Sequence, residues 1–194
     1  LQAFADGKDI YCASASQMFG VPVVKHGING ELRQKGKVAE LACGYGGGVN
    51  ALKAFGADNM GLTEAHMKDI VTKWRQSSPH IVRMWRDIEN AVKAAVRHKG
   101  TRIKYRHGLE FYTRAGLLFI RLPSGRAIAY ARPGIALETE YNRETLIYEG
   151  TTLSGGWGRC YTWGGKLVEN IVQATARDCL AIAMLRLDEA GYKI

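Results

Sequence analysis

Apolar positions along the chain follow a helical period to about residue 100, then a strand-like alternation, then a helical period again. Asp9 caps a first helix with Ala13, Ala15 and Met18 inside, and Gly20 ends it. Pro22, Gly27 and Asn29-Gly30 mark a connector. From Glu31 to Asn50, Val38, Leu41, Ala42 and Tyr45 recur at steps of three, one and three, the stripe of an amphipathic helix that Gly46, Gly47 and Gly48 terminate. A short helix over 49–55 and a turn at 56–59 follow. Thr63 then caps a helix whose inward face is Met67, Ile70, Val71 and Trp74. Ser78-Pro79 opens another, with Ile81, Trp85, Ile88, Val92 and Val96 inward and Lys99-Gly100 as its stop.

Over 101–149 the pattern becomes β. Leu117–Leu122 and Ala127–Tyr130 flank Pro-Ser-Gly-Arg as a hairpin, with 111–113 and 145–148 as further strands. Residues 151–165, rich in glycine and aromatics, read as loop. A long helix is expected from about Lys166 to Ala190, stopped by Gly191, with Ile171, Val172, Thr175, Cys179, Ile182 and Ala183 on its packing face. The fold class expected is α+β: mainly helical at first, then an antiparallel hairpin region and a long helix. There is no internal repeat or low-complexity tract.

Lys and Arg number 27 against 18 Asp and Glu, a net charge of +9, which favours a polyanionic partner. Cys12, Cys43, Cys160 and Cys179 are far apart and unpaired with histidines at ligand spacing, so they read as free thiols in a reducing compartment, and no metal site is expected. No run of about 18 apolar residues exists, so no membrane-spanning helix is expected.

Charge changes the picture of the 31–50 helix. Arg33, Lys37, Leu41 and Tyr45 are each four residues apart, a row that drifts about 40° per step along one side. Two cations, an apolar side chain and an aromatic then lie in line, the layout of a nucleoside triphosphate. On the last helix, Lys166, Asn170, Gln173 and Arg177 share an arc of about 60°, a donor-rich face fit either for solvent or for a nucleic-acid groove. Gly46–Ala51 matches a loose dinucleotide-binding pattern, but a helix stands where that fingerprint needs a strand. Gly165-Lys166 lacks the hydroxyl residue of a phosphate-binding loop.

Together these segments resemble a family-A DNA polymerase, most closely its phage-type branch. Asp9-Ile10-Tyr11 and the Ala-rich helix to Phe19-Gly20 are similar to the segment after the family's first catalytic motif. Arg33, Lys37, Leu41 and Tyr45-Gly46 resemble the family's Arg-x-x-x-Lys-x-x-x-Phe-x-x-x-Tyr-Gly fingers helix. Gly164–Gln173 is similar to the phage-branch motif on a palm helix. The resemblance covers nearly the whole chain and implies a fingers subdomain over 1–150 and a partial palm over 151–194.

It implies that Arg33 and Lys37 hold the phosphates of the incoming dNTP, with Lys37 also the catalytic donor to the leaving pyrophosphate. Tyr45 would pack near the templating pair, Gly46 would admit close backbone approach, and Gln173 would probe primer–template DNA. Asn170, Lys166 and Arg177 join that DNA-binding surface. Two positions depart from the family. Leu41 replaces the usual aromatic near the sugar, and Tyr11 replaces a phosphate-contacting histidine. The family's chemistry uses two Mg²⁺ ions held by two carboxylates. Both carboxylate motifs are expected beyond the two ends of this sequence, leaving the chain alone inactive and dependent on the remainder of the polymerase chain. The strand leading to the second motif would begin at Tyr192-Lys193-Ile194. The implied setting is the cytoplasm of a phage-infected or bacterial cell. The alternative is a non-catalytic nucleic-acid-binding protein on a polymerase-like scaffold.

Overall fold

A computed structural model describes residues 2–138 and 142–193. It is α+β, with helices ahead of one antiparallel sheet and a long helix after it. The chain divides into two compact units, residues 1–84 and 85–194.

In the first unit, α1 (Gln2–Ala5) precedes α2 (Ile10–Phe19), α3 (Leu32–Cys43), α4 (Val49–Ala54) and α5 (Glu64–Ser77). Asp9 caps α2 as its sequence predicts, and Gly20 closes it in the left-handed conformation at φ +68°. Thr63 and His66 form a reciprocal capping box at the start of α5. Met67, Ile70, Val71 and Trp74 are buried from that helix.

Two expectations for α3 need correction. The helix ends at Cys43, so Tyr45 lies in the following turn rather than on the helix. The chain must turn there because Gly47 packs against the helix end, where a β-carbon would come within 2.0 Å of the Ala42 carbonyl oxygen. Leu41 is 44% exposed and belongs to no buried stripe. The packed face is Gly36, Val38, Ala39, Ala42 and Cys43, whose small residues let the helix approach its neighbours closely.

Next comes α6 (Pro79–Arg97), which buries Trp85, Ile88, Val92 and Val96 as the spacing predicts. Ile81 is exposed instead, because it sits in the first turn ahead of the covered stretch.

The sheet of the second unit has six antiparallel strands in sequence order: β1 (Ile103–Lys104), β2 (Glu110–Arg114), β3 (Leu117–Arg121), β4 (Ala127–Glu138), β5 (Arg143–Thr151) and β6 (Trp157–Thr162). The strands expected over 101–149 all form. The loop expected over 151–165 instead contains β6, which pairs Thr151 with Trp157 through Leu146 with Thr162. Its glycines mask a strand alternation in which Trp157, Arg159 and Tyr161 point to one face and Thr162 is buried. The other face of the sheet carries Phe111, Leu118, Ile120, Tyr130 and Leu146 into the core.

Finally, α7 (Gly164–Glu189) starts where Gly164 fits against α6, and a β-carbon there would lie 2.0 Å from the Trp85 carbonyl oxygen. The Gly164 amide donates to Glu89 Oε2 at 2.9 Å. Leu167, Val168 and Ile171 are buried, but Val172, Cys179, Ile182 and Ala183 of the expected packing face are exposed. Periodic apolar spacing reports a face able to pack; among the described residues this one is left uncovered beyond Ile171. No strand forms at Tyr192–Lys193, and Ile194 lies outside the described residues.

Candidate nucleotide- and DNA-binding surfaces

The N-terminus of α2 and the first turn of α3 build one polar cluster. Asp9 Oδ1 accepts from the backbone amides of Tyr11 at 3.0 Å and Cys12 at 3.1 Å. Its other oxygen accepts from Arg33 Nε and Nη2, each at 2.8 Å. The Arg33 guanidinium also lies 5.3 Å from the centre of the Tyr11 ring, a cation–π distance. Asp9 is thus both the α2 cap that its sequence suggests and the partner of Arg33, which its sequence does not. Both side chains retain about a quarter of their exposure, 26% for Asp9 and 25% for Arg33, so a ligand can reach them.

What makes this cluster possible is Gly36. A β-carbon there would stand 2.4 Å from the Tyr11 carbonyl oxygen and 2.9 Å from the Ala15 β-carbon. Only a glycine allows α3 to sit close enough to α2 for Arg33 to reach Asp9 and Tyr11. No periodicity argument singles it out, since the constraint comes from the neighbouring helix.

Partial desolvation by itself raises the Asp9 carboxyl, but the Arg33 hydrogen bond and the Cys12 and Tyr11 amides outweigh it and hold the group below 3.8. A carboxyl depressed in the folded state adds stability that is present above its unfolded pKa and is lost as pH falls through the folded one. Replacing Asp9 with asparagine keeps a good helix cap and removes the ion pair. The variant is expected to be less stable than wild type in urea at pH 7, with the difference shrinking below pH 3.8. An equal difference at both pH values would contradict the assignment.

Along α3, Lys37 is half-buried one turn from Arg33, about 6 Å further along the axis. Leu41, exposed, continues the row, and Tyr45 and Gly46 lie in the turn beyond, with Gly46 at φ +87°. Arg75 of α5 donates to the Gly47 carbonyl oxygen at 3.3 Å, adding a cation beside that turn. Arg33, Lys37 and Leu41 therefore share one side of a helix, and Tyr11 joins the Arg33 end.

On α7 the four predicted donors have different surroundings. Gln173 and Arg177 are exposed one turn apart. Asn170 instead donates to the Tyr130 hydroxyl at 2.8 Å, tying the helix to the sheet. Burial raises the pKa of that tyrosine, so it stays a neutral phenol. Lys166 pairs with Glu169 at 2.8 Å. Asp178 accepts from Ser124 and Arg126 of the β3–β4 turn. All four cysteines are free thiols. Among the described residues, no helix is long and apolar enough to cross a membrane.

Across 193 residues, 100% of this chain, the sequence is 53% identical to the DNA polymerase of Bacillus phage SP02 and spans 30% of that protein's length. A second relative, DNA polymerase I of Rhizobium leguminosarum, is 36% identical over 100 residues, 51% of this chain and 9% of that protein. No family model matches the sequence. The chain is therefore a homologue of one segment of these DNA polymerases.

Proposed function

We propose that this chain is the fingers subdomain and part of the palm of a phage-type, family-A DNA polymerase, and that α3 binds the incoming deoxynucleoside triphosphate. The observation that carries the reading is the shared side of α3, where Arg33, Lys37 and Leu41 stand in a row and Asp9 and Tyr11 brace the first of them.

Arg33 offers a fork of N–H donors that suits phosphate oxygens, and charge-assisted bonds of this kind are roughly twice as strong as neutral ones. Asp9 holds that fork in place before the ligand arrives, which limits the ordering cost of binding. Lys37 contributes a second cation. In the complete polymerase the primer 3′-hydroxyl would give its proton to solvent as its oxygen bonds to the α-phosphorus, the bond from that phosphorus to the α,β-bridging oxygen would break, and Lys37 Nζ would give a proton to the departing pyrophosphate. Leu41 and Tyr45 cover the sugar and base ends, and Gly46 leaves room for the template. Gln173 and Arg177 face the primer–template duplex from α7, with Lys166 and Asn170 at the same surface.

Two Mg²⁺ ions supply Lewis-acid stabilisation in this chemistry. Among the described residues, no three His, Cys, Asp or Glu side chains come together as a metal-ligand set. On the family resemblance the ions are assigned to the complete polymerase, and the isolated chain is proposed to bind without extending a primer. The remainder of the polymerase, acting in the host cytoplasm, is its partner.

Fluorescence anisotropy with a labelled primer–template tests the α7 assignment. Gln173→Ala is expected to weaken duplex binding by about 5- to 10-fold without changing stability, the scale of one lost hydrogen bond. Asn170→Ala is expected to lower stability by about 1 kcal/mol through Tyr130. Undiminished binding by the Gln173 variant would remove α7 from the DNA surface. Duplex binding with no triphosphate binding would favour the non-catalytic reading.

A further inference from the structure

The sheet face turned away from the core has an unusual composition for a solvated surface. Strand β6 lies at the sheet edge and presents Trp157, Arg159 and Tyr161 on alternate positions. Trp163 follows at the same parity. Trp157 is 69% exposed, Tyr161 59% and Trp163 48%. Register places Thr151, Glu149 and Ile147 of β5 beside them.

Further across the same face, Tyr112 of β2 stacks on Phe119 of β3, with ring centres 5.3 Å apart and planes at 20°. The Arg102 guanidinium sits 4.2 Å from the Tyr112 ring centre. Between the two aromatic groups lie Ala127, Ala129 and Ala131 of β4, paired with Arg121, Phe119 and Leu117. Their short side chains make a low floor. Register carries the Phe119 row through Ala129 toward Thr151 and Trp157, three strand spacings or about 14 Å away, with Tyr161 further along β6.

The charge on this face is mixed, with a positive excess. Glu149 accepts from Arg132 at 3.1 Å through both of its oxygens, and from Trp157 Nε1 at 3.3 Å. Glu110 pairs with Arg102 at 3.0 Å and with Arg121 at 3.7 Å. Arg159 stands opposite Glu149 and adds to its neutralisation, and Lys104 and Arg114 add positive charge beyond these pairs, in a chain whose net charge is already +9. Exposed flat rings alternating with arginines, on a face whose carboxylates are neutralised, match the chemistry of unpaired nucleobases on a phosphate backbone. A duplex hides the ring faces that such a platform engages. An acidic face would not suit a polyanion, and a purely apolar one would suit another protein.

We propose that the outward face of the sheet is a binding platform for single-stranded nucleic acid, with unpaired bases stacking on Trp157 and Tyr161 and the backbone held by Arg159. The Tyr112–Phe119 pair extends the track across the alanine floor. This site is distinct from the duplex surface assigned to α7 and does not depend on that assignment.

The test uses the whole chain and a fluorescein-labelled dT12 oligonucleotide at low salt, read by anisotropy. Trp157→Ala/Tyr161→Ala is expected to weaken binding at least 10-fold with an unchanged circular dichroism spectrum, the scale of lost stacking of one to two bases. Arg159→Ala is expected to reduce the slope of log K against log salt by about 0.7, one phosphate contact. Ultraviolet cross-linking of a bromodeoxyuridine oligonucleotide is expected to label the segment 157–163. An unlabelled duplex of the same length is expected to compete poorly, and Gln173→Ala to leave dT12 binding intact. Wild-type affinity in the folded double variant would overturn the proposal, as would adducts confined elsewhere. Sedimentation showing that Trp157 and Tyr161 join two copies of the chain, with no oligonucleotide bound, would also overturn it and make the face a self-association surface.

Discussion

Arg33→Ala is expected to weaken binding of a deoxynucleoside triphosphate to this chain by about 10- to 100-fold. A hydrogen bond to a charged group contributes about 1.5–3 kcal/mol, and each 1.4 kcal/mol is a factor of ten in affinity. The loss is compounded by what remains. Asp9, which now neutralises Arg33 at 2.8 Å, would be left as an uncompensated carboxylate beside an anionic ligand. Lys37→Ala is expected to weaken binding less, since an ammonium makes a point contact where a guanidinium makes a fork. Because the two cations stand about one turn apart and would share the proposed ligand, the double variant is expected to depart from simple additivity. In Arg33→Ala the Asp9 carboxyl should also titrate closer to 3.8, because its main stabilising partner is gone. Equal triphosphate affinity in wild type and Arg33→Ala would remove α3 as the nucleotide site.

Gly36→Ala should cost roughly 2 kcal/mol of stability in the first unit. Alanine gains about 1 kcal/mol over glycine in helix propensity, so the intrinsic term favours the substitution. The steric term runs the other way and is larger. The new methyl would lie 2.4 Å from the Tyr11 carbonyl oxygen, a backbone atom that cannot rotate away, and 2.9 Å from the Ala15 β-carbon. Overpacking of this kind typically costs 1–3 kcal/mol, occasionally more, and is relieved by moving whole helices. Moving α3 away from α2 pulls Arg33 from Asp9 and Tyr11, so triphosphate affinity should fall together with stability. Urea unfolding followed by circular dichroism reads the first effect, and ligand titration of the folded variant reads the second. A variant as stable as wild type would mean the two helices are not held in this close contact.

The contrast between Asp9 and Gly36 marks where sequence reasoning reaches and where it stops. Asp9 as a cap is a local relation, two and three residues from the amides it satisfies, and it is legible from the chain. Its bond to Arg33 spans 24 residues and depends on how two helices meet. The same holds for Asn170, whose position on the donor-rich arc of α7 is readable while its bond to Tyr130, 40 residues away, is not. Periodicity found every helix of eight residues or more and the central strands, because burial on one face is written into the spacing. It missed β6, where glycines and outward aromatics hide the alternation, and it kept Tyr45 on α3, two residues past the end of that helix at Cys43. It also gave α7 a packing face that is exposed beyond Ile171, since spacing states which face is apolar and not what covers it. The Arg33, Lys37 and Leu41 row survives as a shared helix side because a step of four residues fixes it without tertiary information.

The central claim is that α3 receives the triphosphate, and the most direct measurement is a titration of the ¹⁵N-labelled chain with a deoxynucleoside triphosphate, followed by amide and arginine side-chain NMR shifts. The account predicts saturable shifts centred on Asp9 to Cys12 and Arg33 to Gly46, with the Arg33 Nε–H signal among the largest. Shifts that do not saturate, or that centre on another part of the chain while Arg33 and Asp9 stay unmoved, would contradict it.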